Sequence, residues 1–137
     1  MNGARLQHLG LAVADLDAAI RMHSDLFGWT LVSGPHDDQV QQARVASVGP
    51  PDGAGPLLEL VAPLNEESHI TRLLARGMAA YHVCCEVDDI DATLQVLRSR
   101  GCVVVREPAA AVAFSGRRIA WLYTPLRQLT ELVERGC

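Results

Sequence analysis

The chain has 137 residues, a length typical of one compact domain, and its 49% apolar and 20% charged residues exclude a disordered, collagen-like or coiled-coil protein. Sixteen acidic and twelve basic residues give a net charge of -4, and no basic stripe is present, so nucleic acid is not an expected partner. All twelve basic residues are arginine, which excludes Schiff-base lysine chemistry and a phosphate-binding P-loop.

No apolar run approaches the roughly 18 residues that a membrane-spanning helix needs, and the first five residues lack the layout of a signal peptide. The four cysteines form neither a disulfide framework nor a CxxC zinc motif. We therefore expect a cytoplasmic protein that has no membrane partner.

The first half of the chain predicts one strand, one helix and three further strands. A strand of about eight residues contains His8, and Asp15 can then accept hydrogen bonds at the start of a helix over residues 16–26. Gly28 ends that helix as a left-handed cap. Extended segments follow at residues 29–32, 40–48 and 57–62, and the Gly- and Pro-rich turn 49–56 joins the last two as a hairpin.

The second half predicts the same order of elements after a linker over residues 63–77. The linker contains a short helix that ends near Arg76 and has Asn65 or Ser68 as its cap. A strand containing His82 then leads to a helix over residues 90–100, which Gly101 ends. Extended segments follow at residues 102–105, 118–123 and 129–134.

The two halves are therefore copies of one unit. Residues 8–20 align without gaps on residues 82–94, and in both copies a histidine stands seven residues before an Asp-x-Asp-Ala motif. Each copy is a βαβββ module, which gives an α+β fold class. We expect a single domain over residues 1–137, with modules at about 5–63 and 78–135.

Four side chains stand at matched positions in the two copies. His8 and Glu59 are 51 residues apart, and His82 and Glu131 are 49 residues apart, so a pseudo-two-fold axis would carry one pair onto the other. Each glutamate shares its strand face with apolar residues, where an unpaired charge costs several kcal/mol or has its pKa raised. Two imidazoles and two carboxylates suit a divalent ion such as Co²⁺, Mn²⁺, Ni²⁺ or Zn²⁺.

The remaining polar candidates have no symmetric partner. We expect His23 on the first helix, His36 in a loop and His69 in the linker helix to be surface residues. Glu86 shares the face of His82 and lies either beside the ligands or at the rim, whereas Glu134 lies on the opposite face and is expected to be solvated.

These residues resemble the vicinal oxygen chelate superfamily, and within it the methylmalonyl-CoA epimerase branch. The resemblance is carried by the His8 strand, by the strand-to-linker segment over residues 58–68 (LELVAPLNEES), and by the segments over residues 81–90, 115–122 and 130–134. It implies paired βαβββ modules that form a cupped mixed sheet around the metal, with His8, Glu59, His82 and Glu131 as metal ligands. It also implies a homodimer and a small-molecule substrate of the acyl-CoA type.

The sequence departs from the epimerase pattern at two places. Residues 123–128 are shorter than the epimerase segment that carries His-Pro-Lys and a Gly-Gly pair. The third-strand glutamate that some bacterial epimerases carry has no counterpart in residues 41–45. The base is therefore expected to be Glu59 or Glu131.

The resemblance implies a metal-dependent epimerase that moves an α-proton of a carbonyl substrate held by its oxygens on the metal. Glu59 and Glu131 would lie on opposite sides of the planar enolate, one removing the proton and the other, or a metal-bound water, returning it. Three alternatives remain open: a glyoxalase I-type isomerase, a biosynthetic tailoring enzyme with the same enolate chemistry, and a non-enzymatic drug-binding protein of the bleomycin-resistance type.

Overall fold

The computed structural model describes residues 3–136, which form two successive runs of strand, helix and three strands, with a short helix between the runs. The first run is β1 Arg5–Ala12, α1 Leu16–Phe27, β2 Thr30–Asp38, β3 Ala43–Gly49 and β4 Leu57–Pro63, followed by α2 His69–Ala75. The second run is β5 Ala80–Val87, α3 Ile90–Ser99, β6 Val103–Ala110, β7 Arg118–Tyr123 and β8 Leu129–Glu134, with a short 3-10 helix at Val112–Phe114.

The chain divides into two compact units. The first unit is His8–Tyr81, and the second unit is His82 onward together with the described residues up to Gln7. In the first unit the strands lie in the order β2-β3-β4-β1, in which β1 and β4 are parallel and the other pairs antiparallel. In the second unit the order β5-β8-β7-β6 repeats this mixed pairing.

The duplicated Asp-x-Asp-Ala motif starts the long helix of each unit. The side chain of Asp15 accepts a hydrogen bond from the backbone N–H of Ala18, and that of Asp89 accepts one from Ala92, both at 3.0 Å. Each aspartate thereby satisfies a backbone donor that has no partner within the helix. Gly28 ends α1 with a left-handed φ of 68°, as predicted.

Each long helix packs on one face of its own strands. In the first unit the buried apolar cluster combines α1, β3 and β4 through Leu16, Ala19, Ala46, Val48, Leu60 and Ala62. In the second unit the equivalent cluster is Val87, Ile90, Leu94, Ala120, Leu122 and Leu132. Because side chains alternate along a strand, the residues between these positions face the opposite side of each sheet.

The prediction of two βαβββ modules is confirmed, and β7 and β8 have the predicted bounds. The prediction was too short for β2 and β6, which continue to Asp38 and Ala110 through shifts in strand register. It began β3 too early, because Asp38 accepts backbone hydrogen bonds from Val40 and Gln41 and closes a turn there.

Of the two residues predicted as the cap of α2, Ser68 is the cap, because its side chain accepts a hydrogen bond from the N–H of Ile70. That the whole chain is a single domain stays a prediction.

None of the helices within residues 3–136 is long and apolar enough to cross a membrane.

An ionic network joins the end of β8 to the start of α3, where a solvated Glu134 was expected. Arg118 donates hydrogen bonds to both carboxylate oxygens of Glu134, at 3.1 and 3.0 Å, and to Asp91 at 2.8 Å. Glu134 also accepts from the backbone N–H of Ile90 at 2.9 Å. The hydrogen bond from Arg118, followed by that from Ile90, lowers the pKa of Glu134 below its usual value.

The lowered pKa predicts how Glu134→Gln changes the pH dependence of stability. A carboxylate with a lower pKa in the folded chain stabilises it above the unfolded pKa of about 4.3, and this contribution is lost as the pH falls through the lowered value. The melting temperature of the variant should therefore lie below that of the wild type at pH 7, and the difference should shrink below about pH 4. Exposed Glu66→Gln serves as the control, and a constant difference across pH would contradict the assignment.

The core of the first unit predicts a large effect for Leu60→Ala. Leu60 is fully buried beneath α1, so its truncation leaves a cavity and should cost about 2–5 kcal/mol in the free energy of unfolding, measured with urea. Leu126→Ala is the matched control, because this leucine is 92% exposed. A loss for Leu60→Ala that did not exceed the control would contradict the packing described.

Candidate metal centre

One predicted pair of ligands lies within the first unit. The parallel register of β1 and β4 aligns Gly10 with Glu59, so His8 stands two residues before that point on the same face. His8 Nε2 and Glu59 Oε2 are 3.6 Å apart. The two residues are 1% and 5% exposed. The structure therefore brings together two side chains that are 51 residues apart in the sequence.

The second predicted pair lies in the same arrangement within the second unit. β5 and β8 are parallel and align Cys84 with Glu131, and His82 stands two residues before Cys84. His82 Nε2 and Glu131 Oε1 are also 3.6 Å apart, and the two residues are 4% and 3% exposed. The two pairs thus occupy equivalent positions in the duplicated modules.

The separation within each pair is slightly wider than that of two donors on one metal ion. Ligand atoms that each lie about 2.1 Å from a divalent ion are separated by roughly 3.0–3.4 Å at angles of 90–109°. A direct hydrogen bond between nitrogen and oxygen would instead measure about 2.9 Å. At 3.6 Å each pair is close to the spacing of metal ligands and beyond that of a hydrogen bond.

Both pairs lie on the sheet face that is turned away from the helix of their unit. Glu59 stands between Leu58 and Leu60, which pack on or within the helix-side core, and its own face carries fully buried Val61. Val133, also fully buried, lies two residues beyond Glu131 on the same face. Among apolar side chains of this kind, a carboxylate is stable only when a nearby cation or a bound proton compensates its negative charge.

The surroundings of the two pairs differ. Ser47 on β3 is paired with Glu59, whereas Trp121 on β7 is paired with Glu131. The ring of Trp121 meets that of His82 edge to face, with centroids 4.8 Å apart and an interplanar angle of 73°. Trp121 is only 6% exposed, so it orients and shields the imidazole of His82. No pattern in the sequence alone indicates this role for Trp121.

Other polar residues named from the sequence lie elsewhere. Glu86 is held by Arg117 at 2.9 Å and by Arg135 at 3.6 Å, and this ion pairing favours the rim position for it.

The expectation that His23 is a surface residue was wrong, since it is only 4% exposed. Its Nδ1 lies 2.7 Å from the carbonyl oxygen of Ala19. Its ring stacks on that of Trp29, with ring centroids 5.8 Å apart.

His36 and His69 also differ from the expectation of surface residues. Both are half-buried. His36 lies within β2 rather than in a loop, and the ring of His69 meets that of Tyr81 edge to face at 6.0 Å.

Comparison with known proteins identifies the class to which this fold and these paired side chains belong. The sequence model of the glyoxalase/bleomycin resistance protein/dioxygenase superfamily matches residues 7–121. The chain belongs to this superfamily, and its fold is the vicinal oxygen chelate fold. The resemblance inferred from the sequence is confirmed.

The individual proteins to which the chain is similar include epimerases and a probable lyase. It is 30% identical over 121 residues to the ethylmalonyl-CoA/methylmalonyl-CoA epimerase of Cereibacter sphaeroides, covering 87% of each chain. The crystal structure of methylmalonyl-CoA epimerase from Mycobacterium tuberculosis superposes with a TM-score of 0.83 at 36% identity, covering 97% of this chain and 89% of that one. A probable lactoylglutathione lyase of Vibrio parahaemolyticus is 28% identical over 135 residues, which cover 98% of this chain and 93% of the lyase.

Proposed function

We propose that this protein is a divalent-metal-dependent epimerase that acts by α-proton transfer on a chelating carbonyl substrate, as methylmalonyl-CoA epimerases do. The observation that carries the proposal is the pair of buried His–Glu sets, each in the same strand register and each with 3.6 Å between its donor atoms. The similarity to epimerases along most of the chain supports it.

The four side chains His8, Glu59, His82 and Glu131 are the proposed ligands of one ion. Mixed nitrogen and oxygen donors suit Co²⁺, Mn²⁺, Ni²⁺ or Zn²⁺. When bound, the ion supplies Lewis acidity, which draws electron density from the carbonyl oxygens of the substrate and makes its α-proton more acidic.

The proton transfer is assigned to the carboxylates. One of Glu59 and Glu131 accepts the α-proton, so that the C–H bond breaks, an O–H bond forms and the electron pair passes into the carbonyl system. The other glutamate begins in its protonated form, donates its proton to the opposite face of the same carbon and ends as the carboxylate. The electron pair returns to the new C–H bond, the configuration is inverted, and the two glutamates have exchanged protonation states, as the reverse reaction requires. A positioned acid or base of this kind typically contributes about 10²–10⁴-fold to a rate.

Apolar side chains around the carboxylates assist this chemistry. Val45 and Val61 in the first unit and Val133 in the second are all at most 2% exposed and face the same side of their sheets as the ligand pairs. Such walls exclude water, which would otherwise weaken the electrostatic interactions at the reacting groups.

The substrate class that the relatives suggest is a carboxylated acyl thioester of coenzyme A. A homodimer belongs to the same proposal, because the resemblance to the superfamily implies it. The cytoplasmic location expected from the sequence is also part of the proposal. The short segment over residues 123–128 departs from the epimerase pattern and bears on the choice of thioester.

One alternative activity has a specific observation in its favour. The likeness to a probable lactoylglutathione lyase extends over 98% of this chain. A glyoxalase I-type reaction would use the same carboxylates to move a proton between adjacent carbons of a thiohemiacetal. The epimerase is preferred because the strand-to-linker segment over residues 58–68 has the epimerase pattern.

A shared ion predicts both the stoichiometry of metal binding and its loss in a ligand variant. Titration of metal-depleted protein with Co²⁺ should show one ion per chain. His82→Ala should weaken binding by about 100-fold or more, because changes to the outer partners of ligands already cost 10–100-fold. His69→Ala is the control. Two ions per chain would mean that each pair binds its own ion. Unchanged metal affinity in His82→Ala would show that His82 is not a ligand.

The proposed reaction predicts exchange of one proton. In D₂O, the Co²⁺-loaded protein should replace the α-proton of (2S)- and (2R)-methylmalonyl-CoA with deuterium and should interconvert the two esters. NMR spectroscopy follows the loss of the α-proton signal. Glu131→Gln should reduce turnover by at least about 10²-fold, whereas Glu134→Gln, on the opposite face of β8, should retain it. Absence of exchange with both esters would contradict the proposal, and conversion of the glutathione adduct of methylglyoxal instead would establish the alternative.

A further inference from the structure

The sheet face that carries Glu59 continues across two more strands of the first unit. In the antiparallel registers, Glu59 is opposite Ser47, and Ser47 is opposite Ser33 on β2. One row further on, Val45 on β3 is opposite His36 on β2. Because directly paired residues point to the same side of a sheet, Ser33 and His36 face the same side as Glu59.

A bulge brings these two polar residues of β2 together. Ser33 and His36 are three residues apart, yet their partners on β3 are only two residues apart, and the register shifts between them. The Oγ atom of Ser33 lies 3.2 Å from Nε2 of His36. Bulges commonly re-aim a side chain next to a functional site.

Close backbone packing holds the bulge against β3. A Cβ atom on Gly34 would lie 2.7 Å from the carbonyl oxygen of Val45 and 3.0 Å from the Cα atom of Ala46. Gly34 also has a φ of 92°, which side chains rarely allow. The segment that carries His36 is therefore fixed in place.

The imidazole of His36 has one nitrogen engaged and one available. Ser33 engages Nε2, and within residues 3–136 Nδ1 has no hydrogen-bonding partner. The neighbouring carboxylate of Asp38 is occupied, since it accepts from the side-chain amide of Gln41 at 2.8 Å and from two backbone N–H groups. His36 is half-buried, so a bound molecule can reach it without the cost of exposing a core residue.

We propose that His36 is a substrate-binding residue and that Ser33 sets its tautomer. The hydroxyl of Ser33 donates to Nε2, which places the ring proton on Nδ1. That N–H then donates a hydrogen bond to a carbonyl oxygen in the arm of the thioester substrate, beyond the oxygens that the ion would hold beside Glu59. This inference rests on the proposed function, because it concerns the substrate of the same sheet face.

The distance across the sheet selects the kind of substrate. Strands β4 and β2 are two strand spacings apart, which is about 10 Å. A small ketone or aldehyde held at Glu59 would end before β2, whereas an extended acyl thioester spans this gap. The Ser33–His36 pair therefore favours a thioester substrate over a compact one.

The test compares substrate binding and turnover in variants of His36 using methylmalonyl-CoA. His36→Ala should raise both the Kd and the KM about three- to tenfold, as expected for one lost hydrogen bond to a neutral carbonyl oxygen, with kcat changed less than about twofold. His36→Asn keeps an N–H donor near the position of Nδ1 and should restore most of the affinity. Ser33→Ala should give a smaller loss than His36→Ala. Asp37→Asn, on the opposite face of the same strand, is the matched control.

Propionyl-CoA locates the oxygen that His36 contacts. It lacks the carboxylate, so an equal effect of His36→Ala on its Kd would place the contact on the thioester arm. An effect confined to methylmalonyl-CoA would place the contact on the carboxylate, which the ion would hold beside Glu59, and would contradict the span argued from the strand spacing. An equal effect on both esters supports the inference.

Several outcomes would overturn the inference. Unchanged affinity in a folded His36→Ala variant, as judged by circular dichroism, removes His36 from the substrate site. A loss of kcat alone, without rescue by asparagine, would make His36 a proton-transfer group instead. Wild-type protein that neither binds nor turns over methylmalonyl-CoA would refute the proposed function itself, whereas active wild type with an unaffected His36→Ala variant refutes only this inference.

Discussion

The arrangement depends on the burial of a carboxylate beside an imidazole, which occurs once in each module. Glu59 and Glu131 share their strand faces with apolar residues, and each is at most 5% exposed. A charge in such a position is tolerated only with compensation. The strand pairing supplies a histidine next to each glutamate, and the 3.6 Å separation leaves room for a cation between donors rather than closing them into a hydrogen bond.

The sequence was sufficient to predict this part because it depends on residues that repeat. The Asp-x-Asp-Ala motif fixed the start of both long helices, since Asp15 and Asp89 make the same capping bond. The alternation around Glu59 and Glu131 fixed which strand face they occupy. Both signals are local, and each occurs twice, so a chance pattern in one module could be checked against the other.

The features that the sequence did not reveal depend on contacts between strands. Gly34 and Pro35 are typical of a loop, and only the close approach to Val45 shows that they lie within a strand. The role of Trp121 depends on the register in which β7 pairs with β8, and the sequence of the loop between these strands does not predict that register. His23 is different, because Leu16, Ala19 and His23 have the three- and four-residue spacing of a buried helix stripe, and that pattern could have identified it.

The strict alternation along β4 and β8 also limits how the length of this chain can change during evolution. Inserting or deleting one residue within either strand would turn the glutamate toward the helix and direct a leucine toward the imidazole. The same change in the turn over residues 49–56 would leave that alternation intact. Related sequences should therefore vary in length at the hairpin turns, whereas the number of residues within the glutamate-bearing strands stays constant.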